Sequence, residues 1–147
     1  MWPSSIAETA ANDAVVARLD AQGNPVWVTV FGGSGDDAAS FATDANGGIA
    51  VSGITSSTDF PVTPTAPLAT LTSPADAYLA SLDEVSGQLR NATYAGVRAA
   101  NVSQQVADPG GDTLIGGGNS GGGGYVVRWR PADNRVVYAL TLGSPVR

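Results

Sequence analysis

Short apolar runs recur along the chain, and each is separated from the next by a cluster of turn-forming residues. The first four runs are AVVARLD, PVWVTVF, SFATDA and IAVSGIT, with DAQGN, GGSGDD and DANGG between them. Runs this short, rich in Val, Ile, Thr and aromatic residues, are typical of β-strands joined by tight turns. A helix is poorly supported, because the two Ala-rich stretches, IAETAANDA and VRAANVSQQVA, are short and the second aligns with a strand-and-turn region of the first unit. The pattern therefore predicts an all-β chain.

The strand pattern repeats. DAVVARLD at residues 13–20 recurs as DAYLASLD at residues 76–83. A third copy begins at residue 125, because YVVRWRPADNRVVYALTLGS aligns without gaps on YLASLDEVSGQLRNATYAGV at residues 78–97. Repeats of about 45 to 65 residues, each with four short antiparallel strands, are typical of β-propeller blades.

The alignment also divides the chain into units. WVTVFGG at residues 27–33 aligns with RNATYAG at residues 90–96, and this alignment matches Trp27 with Arg90. We predict a single domain, residues 1–147, built from three units. The units are residues 13–75, 76–124 and 125–147.

The first unit resembles a known repeat. DAVVARLDAQGNPVWVTVFGGSGDDAASFATDANGGIAVSGITSSTDFPVTP is similar to the SBBP type of β-propeller repeat, in its Asp-Ala strand, its Gly-Asn turn, its Gly-Gly-Ser-Gly-Asp-Asp turn and its Asp-Phe-Pro loop. The second unit departs from the repeat, since VRAANVSQQ replaces the Gly-Asp-Asp turn and the Phe-Pro loop is absent. The resemblance implies an antiparallel propeller without assigned catalytic chemistry. It also implies an extracellular or cell-surface location in bacteria, although this chain shows no signal peptide.

Composition limits the catalytic and metal-binding sites that the chain can form. The chain contains no His, no Cys and no Lys, which excludes Ser-His-Asp and Cys-His arrangements, thiolate or imidazole zinc sites and a Walker lysine. A carboxylate pair, as in glycoside hydrolases, is the remaining enzymatic option. Most Asp residues, however, recur at equivalent turn positions, such as Asp20 and Asp83, which suits a scaffold better than an active site. We predict that the protein is not an enzyme and uses no cofactor.

Charge and hydropathy limit the classes of partner that the chain is expected to bind. A net charge of −6 without Lys argues against nucleic acid, because that binding depends on cations that neutralise phosphates. No apolar run approaches the roughly 18 residues of a membrane helix, so we predict no membrane insertion. The predicted function is a structural or interaction module. The alternative is a carbohydrate-binding, lectin-like propeller assembled from several copies, with glycan sites in the clefts between blades.

Two adjacent carboxylates, Asp36 and Asp37, are weak candidates for ligand binding. Carboxylates in a Gly-rich turn are ligands that Ca²⁺ prefers, but the alternating Asp pattern of a calcium loop is absent and the second unit lacks both acids. The favoured interpretation is structural. It expects Gly32, Gly33 and Gly35 to adopt positive φ and the two Asp side chains to satisfy backbone amides, so that no metal binds.

Two further features have competing interpretations. Trp27 and Trp129 could stack on a sugar, but both lie inside strand patterns, which favours core packing between blades. GGGNSGGGG at residues 116–124 lacks the Gly-Lys-Ser/Thr end of a phosphate loop. We expect a strand end there, followed by a flexible connection between blades.

The strand count predicts assembly. Two strands precede the first turn between blades, four follow, and four more complete the chain, which makes about two and a half blades. Closed propellers need about four to eight blades. The ring is therefore completed either by the remaining blades of a larger protein or by self-association. A dimer is favoured because two copies would give five blades. A stable monomer would instead mean that the N-terminal residues 1–12 cap one open face.

Overall fold

The computed structural model describes residues 4–6, 12–45, 47–119 and 121–143, and for residues 4–6 it describes the backbone alone. These residues form eleven strands and no helix, so the predicted all-β class is confirmed. They contain no helix of the length and hydrophobicity that crosses a membrane. The segment expected to act as a cap lies outside the described residues, apart from residues 4–6 and 12.

Three sheets follow one another along the chain. Sheet A has the strand order β1-β3-β2 and contains β1 (Ser4–Ile6), β2 (Ala14–Leu19) and β3 (Pro25–Phe31). Sheet B contains β4 (Asp37–Ala45), β5 (Gly48–Thr55), β6 (Asp76–Asp83) and β7 (Leu89–Arg98). Sheet C contains β8 (Gln104–Ala107), β9 (Thr113–Gly118), β10 (Gly124–Arg130) and β11 (Arg135–Leu142).

The grouping of strands agrees with the sequence. In sheets B and C each strand pairs antiparallel with its neighbour in sequence, which confirms the predicted sets of four. Strands β2 and β3 form the predicted antiparallel pair. Strand β1 was not predicted, and it pairs parallel to β3 on the side away from β2.

The strand registers correct one detail of the repeat alignment. One pair of facing residues occupies the same register position in each sheet, and the three pairs are Arg18–Trp27, Ser81–Asn91 and Arg128–Tyr138. Trp27 therefore corresponds to Asn91 and not to Arg90. The alignment was wrong by one residue because the extra residue of the turn DEVSGQ, relative to DAQGN, precedes β7.

The turns that follow β2, β6 and β10 share a backbone conformation. Gly23, Gly87 and Asn134 occupy equivalent positions in these turns, with φ of 86°, 74° and 52°. Gly and Asn are the residues that adopt positive φ most readily. The third repeat therefore keeps the turn geometry although its residue there is not Gly.

The glycine-rich stretch at residues 116–124 also differs from expectation. Its first part ends β9, as predicted, but the following residues form a hairpin that joins β9 to β10 within sheet C. The hairpin is closed by a hydrogen bond from the Asn119 N–H to the Gly123 carbonyl, at 3.3 Å. The prediction of a connection between blades is wrong at this point.

The three sheets pack face to face in chain order, with sheet B in the middle. Tyr78, Ala80 and Leu82 on β6 pack against sheet A. Alternate residues of the same strand, Ala77 and Leu79, pack against sheet C. Because successive side chains of a strand point to opposite faces, one strand serves both layers of core.

Candidate functional site

The bend that carries Asp36 and Asp37 connects sheet A to sheet B. Asp37 is buried, and its Oδ2 accepts hydrogen bonds from the Gly33 N–H at 2.8 Å and from the Ser57 hydroxyl at 2.7 Å. Asp36 is exposed, and its Oδ1 accepts one hydrogen bond from the Asn12 N–H at 3.3 Å. The two carboxylates therefore do not converge on one position.

The glycines of this bend are required by close contact rather than by backbone conformation. None of Gly32, Gly33 and Gly35 has positive φ, so that prediction is wrong. A Cβ at Gly35 would lie 2.7 Å from the Ser56 backbone, and a Cβ at Gly32 would overlap the Asp37 carboxylate. Side chains larger than Gly cannot fit where the bend presses against the neighbouring loop.

The bend holds no cluster suited to a metal. Among the described residues, no group of three or more acidic side chains could hold an ion. One offset of 64 residues places Asn101 where Asp37 stands, and the Asn101 Oδ1 accepts hydrogen bonds from the Gly118 N–H and the Ser103 hydroxyl. Asn101 is exposed and has different donors, so the second unit keeps a side-chain acceptor at this position but not the same contacts. The hydrogen bonds that the buried Asp37 accepts from Gly33 and Ser57 give this carboxylate a structural role in the bend.

Both candidate tryptophans are buried. Trp27 is 2% exposed and Trp129 is fully buried. The Trp27 Nε1–H donates to the Glu84 carbonyl and the Trp129 Nε1–H donates to the Asn134 side-chain oxygen, both at 3.0 Å. Core packing of the two rings is confirmed.

A cavity lies between sheets B and C, in the kind of place that the alternative, lectin-like prediction expected for a glycan site, although the sequence did not indicate its residues. This B–C cleft has a volume of about 160 Å³ and lies beside the turns at one end of the two sheets. Its polar lining comes from β6, β7, the β8–β9 turn and β10. The polar side chains that line it are Ser81, Arg90, Asn91, Asp112 and Arg130.

The cleft is open because two of its residues are small. In the joint between sheets A and B, Trp27 and Arg18 both donate to the Glu84 carbonyl at the start of the β6–β7 turn. In the joint between sheets B and C, Asn91 and Ser81 occupy those register positions. The Asn91 side chain keeps the equivalent hydrogen bond, to the Pro131 carbonyl at 2.8 Å, but it leaves unfilled the space of an indole and a guanidinium.

Ion pairs hold the charged groups of the cleft. Asp83 pairs with Arg90 and accepts the N–H groups of Val85 and Ser86, and these backbone hydrogen bonds are the main reason that the pKa of Asp83 falls to about 2. Arg130 pairs with the buried Asp112 at 3.0 Å. Hydrogen bonds from Arg130 and then from Arg128 lower the pKa of Asp112 below its ordinary value. Both carboxylates therefore stay ionised well below neutral pH.

The outer face of sheet A is apolar and open, and that of sheet C is largely apolar, with Arg128 between Leu114 and Tyr138. The rear face of sheet A is the face that points away from sheet B. It carries six aliphatic residues: Val15, Ala17, Leu19, Val26, Val28 and Val30. The front face of sheet C is the face that points away from sheet B. It carries five aliphatic side chains and one tyrosine: Val106, Leu114, Val126, Leu140, Leu142 and Tyr138. Exposed fractions reach 57% on the rear face and 56% on the front face.

Comparison of the chain with protein-family models and with curated proteins finds no match.

Proposed function

We propose that this protein is a non-enzymatic structural module of β-propeller type that binds further copies of itself through its two open sheet faces. The resemblance of the first unit to the SBBP repeat supports the propeller architecture and a place outside the bacterial cell. The observation that carries the proposal is the uncovered apolar surface at both ends of the sheet stack.

The rear face of sheet A matches surfaces that are covered elsewhere in the chain. Val15, Ala17 and Leu19 occupy the positions that Tyr78, Ala80 and Leu82 hold in sheet B, and those three residues are fully buried. Val15 and Leu19 are 56% and 57% exposed. An aliphatic sheet face of this extent marks a surface that binds another protein.

The front face of sheet C supplies the complementary surface. It is the repeat equivalent of the front face of sheet B, on which sheet C packs within the chain. A second copy whose front face covers the rear face of the first would repeat the contact that already joins sheets A, B and C. Contacts of this head-to-tail kind form a ring when the rotation closes.

Two copies are enough for a closed ring. Each chain supplies three sheets, so two copies supply six rather than the five blades counted from the sequence. Two copies of sheet A would not merge into one blade, because among the described residues sheet A lacks the same pair of strands in both copies. Six sheets fall within the range of about four to eight that closed propellers use.

The experiment measures mass in solution by light scattering for the unmodified chain, V15D on the rear face and L140D on the front face. We expect a dimer for the unmodified chain and a monomer for each variant, because each contact needs one rear face and one front face. V85D is the matched control, since Val85 is 76% exposed in the β6–β7 turn and lies on neither face.

Mixing tests the head-to-tail geometry. V15D keeps a front face and L140D keeps a rear face, so an equimolar mixture should form a heterodimer that neither variant forms alone. A monomer of the unmodified chain at micromolar concentration would contradict the proposal, and so would a dimer that only one of the two substitutions disrupts.

A further inference from the structure

The B–C cleft combines free hydrogen-bond donors with a hydroxyl that opens into it. Ser81 lines the cleft and is 4% exposed, and its hydroxyl makes no hydrogen bond to a described residue. This hydroxyl is not one of the fully buried side-chain atoms that lack a partner, so it is accessible from the cleft. A ligand in the cleft would meet a hydroxyl that can donate or accept a hydrogen bond.

The unused N–H donors of the cleft suit an anion. The lining holds two guanidinium groups, Arg90 and Arg130, and each of them pairs with one carboxylate, Asp83 and Asp112 respectively. Within the described residues, Arg90 uses only its Nη2 for a hydrogen bond, to Asp83, so its other N–H groups remain available.

The size of the cleft suits a single ring. A closed cavity of roughly 150 Å³ accommodates benzene, and this cleft has about 160 Å³ and is open to solvent, so a bulkier sugar ring would lie partly inside it. Its lining is polar and provides the Ser81 hydroxyl and the second N–H of the Asn91 amide, whose first N–H donates to Pro131. Both groups suit the hydroxyl groups of a sugar. Guanidinium groups bind carboxylates through paired N–H donors.

We propose that the B–C cleft binds a sugar residue that bears a carboxylate, a uronic acid, with its carboxylate on Arg90 and a ring hydroxyl on Ser81. Arg130 lines the same cavity and adds a second positive charge near the carboxylate. The site lies within one chain, so it does not depend on the proposed dimer.

The experiment compares methyl glucuronide, methyl glucoside and acetate by calorimetric titration, with backbone amide shifts of Gly110 and Gly111 to locate the ligand beside the cleft. Methyl glucuronide should bind saturably, and the glucoside and acetate should each bind at least tenfold more weakly. The glucoside lacks only the carboxylate, and acetate lacks the ring. Equal binding of acetate, or no saturable binding of the glucuronide, would overturn the proposal.

Two variants test the assigned residues. R90Q should weaken glucuronide binding at least tenfold, because a charge-assisted hydrogen bond is lost. The variant should fold, since Asp83 keeps its two backbone hydrogen bonds. R135Q removes the same charge from an exposed position on β11 and should bind as the unmodified chain does. Equal weakening by R90Q and R135Q would show a general charge effect and overturn the site.

Ser81 gives a second readout. S81A should weaken glucuronide binding several-fold without lowering the melting temperature, because the hydroxyl has no partner in the unliganded cleft. Unchanged binding by S81A, or a large loss of stability, would contradict the role assigned to this hydroxyl.

Discussion

Trp27 fills the joint between sheets A and B with one buried side chain, so its removal isolates what that joint contributes. We expect W27A to lower the free energy of unfolding by about 3 to 5 kcal/mol, the range for a large aromatic side chain in a core. Chemical denaturation measures the change. V85A, at an exposed turn position, should change stability by no more than about 0.5 kcal/mol. A loss below about 1 kcal/mol for W27A would contradict the packing described here.

Asp37 accepts two hydrogen bonds in the bend. D37N should cost less stability than D37A, because an amide oxygen can accept the same two hydrogen bonds. D37A should cost about 1 to 3 kcal/mol, since the buried Gly33 N–H and Ser57 hydroxyl lose their acceptor. Thermal melts of both variants, with and without calcium, test this. A calcium-dependent rise in the melting temperature of the unmodified chain would show instead that the bend binds the ion.

At the scale of single residues, the sequence predicts which side chains are buried better than it predicts which residues they contact. Trp27 and Trp129 are recognisable as core residues because they lie inside apolar strand patterns. The opening at Ser81 could not be recognised from the sequence. Recognising it requires Ser81 and Asn91 to be aligned with Arg18 and Trp27, and an error of one residue aligned Arg90 with Trp27 instead. The prediction of positive φ for the glycines of the bend was wrong. The sequence shows that Gly is used at these positions, but it does not show whether the backbone conformation or the close approach of neighbouring atoms requires it.

The turns between paired strands provide a comparison at the scale of elements. Gly23 and Gly87 both have positive φ, but a Cβ at Gly23 would contact nothing, whereas one at Gly87 would lie 2.5 Å from the Trp27 ring. G23A should cost about 1 kcal/mol for the backbone alone. G87A should cost about 1 to 3 kcal/mol more, because it also overpacks the joint. Equal losses in chemical denaturation would show that Trp27 does not rest on this turn.

The β6–β7 turn should also make stability depend on pH. The folded pKa of Asp83, about 2, lies below its ordinary value of 3.8. The stabilisation is therefore complete above about pH 4 and is lost as the pH falls towards 2. Melting curves between pH 5 and 2 should show a steeper fall for the unmodified chain than for D83N, which cannot lose this proton-linked contribution. Parallel curves would contradict the assignment.

Elements were predictable where the signal is local. Turn clusters and alternation located ten of the eleven strands, because hairpin pairing follows from short-range sequence. Strand β1 escaped prediction because its three residues pair in parallel with β3, more than twenty positions away. Long-range parallel pairing leaves no turn signal in the chain.

The whole molecule is a stack with one incomplete sheet at its start. Sheet A lacks the strands that occupy the positions of β4 and β5 in sheet B, so the edge of β2 has no strand partner within the described residues. The repeat pattern predicted this deficit from the strand count. It could not predict which face of each end sheet would be exposed, because that depends on which side of a strand the neighbouring sheet covers.

The joints between the sheets are tied by hydrogen bonds from a variable side chain to a main-chain carbonyl, with Trp27 donating to Glu84 in one joint and Asn91 to Pro131 in the next. Every amino acid supplies a main-chain carbonyl, so substitutions at the turn cannot remove the acceptor. The donor can therefore change from indole to amide over evolutionary time while the joint persists. Repeats built in this way can diverge in the clefts between them, one closed and another open to a ligand, without having to evolve a new scaffold.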